Sequence, residues 1–389
     1  MSQSKAGDEL QGILTSSALS YLKAKYDTMI TGVSPREGLI AEYDGMTRKY
    51  RNAQERLDAS LKGQQILLQS GMRYTKVEVE LFPHNVEEKG DKVILHATEQ
   101  AILYYTHDSL QPDAQANSTE QMAEHYFVFT KATASTSEQL PYSRLAGNAR
   151  YSLKEDWIEQ KPSTSAQPSL IDPEPPGDGA DDSNFCCYAE EAPYANEPLT
   201  DPPLQTYGTE GPQQNCAYDG DLAAYYAYNW AFGYSSYFRR FDNDCTNFAS
   251  QALYHGNWLW KGFRKNYKNW GYWWYYRDGS QNKGQSRTWT QARALYYFVR
   301  NSGRGFATSN ICDMQKGDLV FADWNRDGMI DHVMVVTGRD GRFLCHEWAG
   351  VLLSQHSPGR RDKPLIQYLS DEPNALFYGT WICHTGPSS

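Results

Sequence analysis

Residues 241–253 read FDNDCTNFASQAL, and the group in them best suited to covalent chemistry is the thiol of Cys245. Phe248, Ala249, Ala252 and Leu253 recur at helical spacing after it, and Asp244 stands where a helix cap is expected. The pattern therefore predicts that Cys245 occupies the first position of a helix. There, unsatisfied backbone N–H groups and the positive end of the helix dipole stabilise a thiolate. The same N–H groups can donate to the oxyanion formed when a thiolate attacks an amide carbonyl. The Asp244 carboxylate works against this, because a neighbouring negative charge raises a thiol's pKa. Most cysteines pack or cross-link, so position alone does not assign catalysis, and a base is required.

The candidate base is His332. Residues 316–337, KGDLVFADWNRDGMIDHVMVVT, read as two strands, GDLVFAD and IDHVMVVT, joined by a polar turn, with His332 near the start of the second. A cysteine at a helix start followed by a histidine on a strand is a thiol and imidazole arrangement used for acyl transfer. A third polar group normally orients the imidazole. The strand-like pieces GRFLCHE and GVLLSQHS carry His346 and His356, either of which could hydrogen-bond His332, with Gln355 and Asp331 as weaker candidates. A histidine in an apolar strand is more often structural, and the spacing of His332, His346 and His356 matches no zinc pattern.

The turn between these strands has a reading of its own. Asp323, Asn325, Asp327, Gly328 and Asp331 follow the oxygen-ligand spacing of a calcium loop, but Met334 stands where the bidentate acid belongs. Calcium would bind weakly unless another segment supplied that ligand, and an acidic hairpin turn is the favoured reading.

Several elements must position these groups. Residues 221–237, DLAAYYAYNWAFGYSSY, predict a helix opened by a capping acid. The tract 257–280 is dense in aromatic residues; Trp258, Trp260, Trp273 and Trp274 could line a substrate groove or pack the domain's surface against the linker or the N-terminal module, and Trp289 shares the ambiguity. Upstream, GILTSSALSYLKAKYDTM and residues 36–70 carry apolar side chains at helical spacing. Next, YTKVEVELF, DKVILHATEQAILYYTH and EQMAEHYFVFTKA alternate apolar and polar residues like an antiparallel meander, with turns expected at HNVEEKGD and QPDAQANS and a closing strand at SLKEDWIEQ. Residues 1–160 are thus expected to form an α+β module, with fold-level analogy to cystatin-like or NTF2-like folds. Residues 161–217, rich in Pro, Ser, Asp and Gly, read as a linker, and 218–389 as a second domain.

With 40% apolar and 14% aromatic residues among 389, wholesale disorder is excluded. A net charge of −10 without a basic stripe argues against nucleic acid as a partner. No apolar run approaches the roughly 20 residues needed to span a bilayer, so the chain reads as soluble. Seven cysteines, all from residue 186 onward, would leave one thiol over if six formed bridges, with the connectivity open. Such bridges, with the abundant Tyr and Trp, suit a secreted or cell-surface protein. The start MSQSKAGDELQG has no signal segment, so any such segment would lie outside this sequence. Oligomeric state is not indicated.

Taken together, AAYYAYNWAFGY, NDCTNFASQAL, KGDLVFADWNRDGMIDHVMVV and LLSQHSPGRRDKPL resemble the putative amidase domain of bacterial, often secreted proteins, over roughly residues 218–385. That family is related to the papain-like peptidoglycan hydrolases of the NlpC/P60 and CHAP groups. The resemblance implies a papain-like α+β fold with Cys245 as nucleophile, His332 as general base and His356, in the family's SQH motif, orienting the imidazole. It implies hydrolysis of an amide or peptide bond, with a peptide or peptidoglycan-type substrate and no required cofactor. The alternative is a non-catalytic extracellular binding protein that uses the same domain and its aromatic tract for recognition.

Overall fold

The computed structural model describes residues 2–32, 50–108, 117–133, 143–146, 149–158, 218–262, 266–277 and 283–382. The expected linker, with Cys186, Cys187 and Cys216, lies outside the described residues, as does Cys383. The described residues combine helices with antiparallel strands, an α+β fold. The chain divides into two compact units, Met1–Pro168 with Ile366–Pro373, and Ser169–Leu365 with Asn374–Ser389. Among the described residues no helix is long and apolar enough to cross a membrane.

In the first unit, helix α1 (Ser2–Thr31) is followed by strand β1 (Tyr50–Asn52), helix α2 (Ala53–Gln69) and strands β2 (Met72–Lys89), β3 (Lys92–His107), β4 (Asn117–Thr133), β5 (Ser143–Ala146) and β6 (Ala149–Ile158). Strands β2, β3, β4 and β6 pair antiparallel in that order. HNVEEKGD is strand for most of its length: after a register shift between Pro83 and Asn85, Val86 faces Leu95, and the chain turns only at Gly90 and Asp91. Gly90 has φ 63°, a left-handed conformation that a short hairpin turn favours. Leu14, Ala18, Tyr21 and Leu22 of α1 share a core with Val93, Leu95, Ala97, Phe127 and Phe129.

The inward face of this sheet also carries charge. Glu99, His125 and Asp156 are all at most 1% exposed. His125 Nδ1 lies 2.6 Å from Asp156 Oδ1 and Nε2 lies 2.7 Å from Glu99 Oε2. Glu99 also accepts from the Tyr26 hydroxyl and, at 3.1 Å, from the Gln121 amide. Burial alone would lower the imidazole pKa, but Asp156 and Glu99 outweigh it and raise it to about 9. Burial pushes Glu99 the other way, yet its bond to His125, the Lys25 charge and Tyr26 hold it well below the usual carboxylate range.

In the second unit, helices α3 (Gly220–Trp230) and α4 (Cys245–His255) precede the short strands β7 (Tyr275–Arg277) and β8 (Lys283–Gln285) and helices α5 (Arg287–Thr290) and α6 (Ala292–Asn301). Strands β9 (Gly305–Thr308), β10 (Leu319–Asp323), β11 (His332–Arg339), β12 (Val351–Gln355), β13 (Gly359–Pro364) and β14 (Leu376–Ile382) follow. They form antiparallel pairs in the order β13-β12-β11-β10-β14-β9. The β10–β11 hairpin sets Ala322 opposite His332, and α3, α4 and α6 all pack against β11.

Cys312 and Cys345 form a disulfide across 33 residues. It joins the turn after β9 to the loop after β11, and Arg339 donates to the carbonyls of Ile311, Met314 and Cys345 at 2.9, 3.2 and 2.7 Å. Closing a loop of this length restricts the unfolded chain by about 3–4 kcal/mol. Paired Cys312→Ser and Cys345→Ser substitution is therefore expected to destabilise this unit by about that amount. Denaturant unfolding with and without reductant checks it: reductant should destabilise the wild type by about that much more than it does the double variant.

Candidate active site

Helix α3 begins one residue earlier than the sequence predicts. Asp219 is its cap, accepting from Leu222 N–H at 3.0 Å, while Asp221 is exposed and pairs with Lys316 at 3.0 Å. The helix ends at Trp230 rather than Tyr237. The following segment, 231–244, carries the chain to α4, in which every residue from Cys245 to Leu253 is buried.

A helix buried on both apolar and polar positions needs partners for the latter. Asn247 Oδ1 accepts from the Trp289 indole at 2.8 Å, Ser250 accepts from the Trp273 indole at 3.1 Å and donates to Trp289 O at 3.0 Å. Gln251 accepts from the Tyr226 hydroxyl at 2.6 Å. The tryptophans thus hold the helix from below. Trp258, Trp273 and Trp274 are buried, and Trp260 is half-buried and stacked on Tyr254 at 5.3 Å. This is packing into the domain's own interior, neither the substrate groove nor the surface packing against the linker or the N-terminal module that the sequence left open, with Trp289 fully buried beside them. Among the described residues of this unit, the large exposed aromatic side chains lie instead on α3 and after it: Tyr225, Tyr228, Trp230, Tyr234 and Tyr237.

Cys245 is the first residue of α4, 2% exposed and in no disulfide. Its sulfur lies 3.7 Å from Asn243 Oδ1 and 3.6 Å from Thr246 Oγ1. Asp244 occupies the cap position with φ −98° and ψ 0°, but its side chain caps no helix N–H. The carboxylate instead accepts from Phe241 N–H and Asn247 Nδ2, both at 2.9 Å, and meets His356 Nδ1 at 2.7 Å. The expected role of Asp244 as helix cap is therefore one of position only. The reason is competition: Phe241 N–H, Asn247 and the His356 imidazole already engage both carboxylate oxygens.

His332 opens β11, is 4% exposed, and has the Trp324 ring at 5.4 Å. Because α4 packs on β11, the elements that begin with Cys245 and His332 lie against each other. His356 is placed differently from the orienting role expected of it. Its Nε2 lies 2.8 Å from Trp230 O and its Nδ1 is on Asp244, so both ring nitrogens are engaged, neither by His332. Its ring stacks on Phe248 at 4.1 Å and is tilted against Tyr234 at 4.7 Å. His346 is exposed in the loop beside the disulfide. Gln355 donates to Pro358 O, and Asp331 accepts from Trp324 N–H.

The acidic turn is held by its own side chains. Asp323 accepts from the N–H groups of Arg326 and Gly328 at 2.8 and 2.9 Å, and Asp327 from that of Met329 at 2.8 Å. Asn325 Oδ1 accepts from Asp327 N–H at 3.3 Å, and Gly328 takes φ 80°. These bonds are those of an Asx-rich turn. Groups that sequence reasoning passed over include Asn243 at the thiol, Ser357, whose hydroxyl accepts from Asp244 N–H at 2.8 Å, and the Trp230 carbonyl. Asn243 was within reach, since it stands two residues before Cys245 in sequence; the other two become neighbours only in the fold.

Residues 217–379 match the family described as "Putative amidase domain". The chain is also similar to "Uncharacterized protein YhbB" of Bacillus subtilis (strain 168), with 27% identity over 106 residues, 26% of this chain and 32% of that protein. The chain thus spans about a third of that relative's length. No solved structure matches significantly. The family match points to hydrolysis of an amide bond in a peptide-type substrate.

Proposed function

We propose that residues 217–379 form a cysteine amidase or peptidase, papain-like in mechanism, with Cys245 as nucleophile and His332 as general base. The observation that carries this reading is that Cys245, outside any disulfide, opens a buried helix whose first-turn N–H groups Asp244 leaves uncapped, and that this helix packs on the strand opened by His332. In the proposed reaction His332 takes the thiol proton as sulfur attacks the carbonyl carbon, and the N–H groups of α4 receive the resulting oxyanion. The C–N bond breaks as His332 passes the proton to the leaving amine. Water, deprotonated by His332, then cleaves the thioester and restores the thiol. No step runs through calcium.

Peptides, cell-wall peptides among them, are the substrate class to test first. The Cys312–Cys345 bridge supports an oxidising, exported setting. The test is mass identification of an acyl adduct on Cys245 after rapid acid quenching with a panel of such peptides. An adduct on the peptide containing Cys245 is the expected result, and an adduct on another residue with turnover intact sinks the assignment. A second reading, a non-catalytic binding protein, is favoured by the exposed rings of Tyr225, Tyr228 and Tyr237. It requires a Cys245 thiol inert to iodoacetamide near neutral pH.

A further inference from the structure

The pairing of Asp244 with His356 gives the histidine a function other than steering the base. Trp230 O is a carbonyl and can only accept, so His356 Nε2, 2.8 Å away, must carry a hydrogen. The 2.7 Å contact between Nδ1 and the Asp244 carboxylate then needs a hydrogen as well. Two protons on the ring, or one on the ring and one on the carboxyl, satisfy this geometry, and in both cases the pair is electrically neutral. Asp244 is fully buried and His356 is 3% exposed, so water screens this charge balance poorly.

Resting on the proposal that Cys245 is the nucleophile, we infer that His356 is a positioning residue for the thiolate: it neutralises the carboxylate that directly precedes Cys245 and fixes it away from the sulfur. An unpaired carboxylate one residue from the thiol would oppose formation of a second negative charge. The bond to Trp230 O ties the end of α3 to this pair, and the Phe248 ring packs on the imidazole from within α4. The other titratable or charged groups around the pair are the Cys245 thiol, the Tyr226 and Tyr234 hydroxyls, and Arg240, whose guanidinium lies over the Tyr234 ring at 4.0 Å. The contacts of Asp244 and His356 include none to Arg240, which leaves His356 as the basic group that shares a proton with the Asp244 carboxyl.

The experiment is the pH profile of Cys245 alkylation by iodoacetamide in the full chain, read by peptide mass. His356→Gln keeps a hydrogen-bond donor but cannot carry the charge. It is expected to move the profile upward by about one pH unit and to slow alkylation at pH 7 on the order of tenfold. Asp244→Asn should leave the profile unmoved, and the double variant should return to the Asp244→Asn profile. A His356→Gln profile that overlays the wild type in a folded protein overturns the inference, as does a double variant still shifted like His356→Gln. Should His356→Gln not fold, Asp244→Asn decides alone: an unmoved profile upholds the inference, and a shift in either direction overturns it. Failure of the nucleophile assignment looks different, because the wild-type Cys245 itself would then resist alkylation or Cys245→Ala would remain active.

Discussion

Cys245→Ala is expected to abolish amide hydrolysis, lowering kcat by at least about a thousandfold on any peptide the wild type cleaves. Alanine leaves the helix, the N–H groups and His332 in place, so substrate can still bind, but no atom remains to carry the acyl group. Water activated by His332 could still attack, which accounts for a residual rate above background. The stability cost should be small, about 1 kcal/mol, since one buried sulfur with long contacts to Asn243 and Thr246 is lost. Steady-state kinetics alongside a thermal melt separates the two effects. A folded alanine variant with wild-type turnover would remove both Cys245 and the proposed mechanism. His332→Ala should lose a comparable share of kcat, with the thiol also alkylating more slowly near neutral pH.

The largest stability effect is expected in the first unit, at His125. Removing the imidazole leaves Glu99 and Asp156 buried with their shared cation gone, and breaking such a group by deleting one member costs about 3–5 kcal/mol. His125→Ala should therefore lower the unfolding free energy of the first unit by that order, seen as an early transition in denaturant unfolding of the full chain. Replacing His125, Glu99 and Asp156 together with apolar residues of similar size should recover most of the loss, because no charge is then stranded. The pH dependence follows from the two shifts. His125, raised to about 9 from an unfolded value near 6.5, contributes fully below pH 6.5 and loses that contribution as pH rises through about 9. Glu99, held low, contributes above its unfolded value near 4.5 and loses its part as acid protonates it. Stability from this cluster is greatest between those limits, and a melt series from pH 4 to 10 that showed no fall at the alkaline end would contradict it.

The sequence reveals these two sites unequally. Cys245 and His332 are legible because each stands at the start of an element, and caps, turns and alternation mark such starts locally. The partner of Asp244 is not, because His356 is 112 residues away and a carboxylate before a helix looks the same whether it caps or pairs with a histidine. The tryptophans misled for a related reason: their number exceeds what an apolar core asks for, but α4 buries Asn247 and Ser250, and indole N–H groups are what those residues bond. Glu99 and His125 were within reach of the pattern that gave the strands. In DKVILHATEQAILYYTH and EQMAEHYFVFTKA they fall on the same parity as Ala97, Ala101, Ala123 and Phe127, the inward face. Two charged residues at core parity on neighbouring strands are a signal that alternation alone supplies.

The burial of α4 on all sides also bears on how this domain would respond to saturation mutagenesis. From Cys245 to Leu253 each position is either close-packed or bonded to an aromatic partner, so a scan scored by loss of activity would return an unbroken intolerant block. Ser250 and Asn247 would score as badly as the nucleophile, through protein abundance rather than chemistry. Only a scan that measures amount and turnover separately would leave Cys245 as the position in that block where the protein persists and the reaction stops.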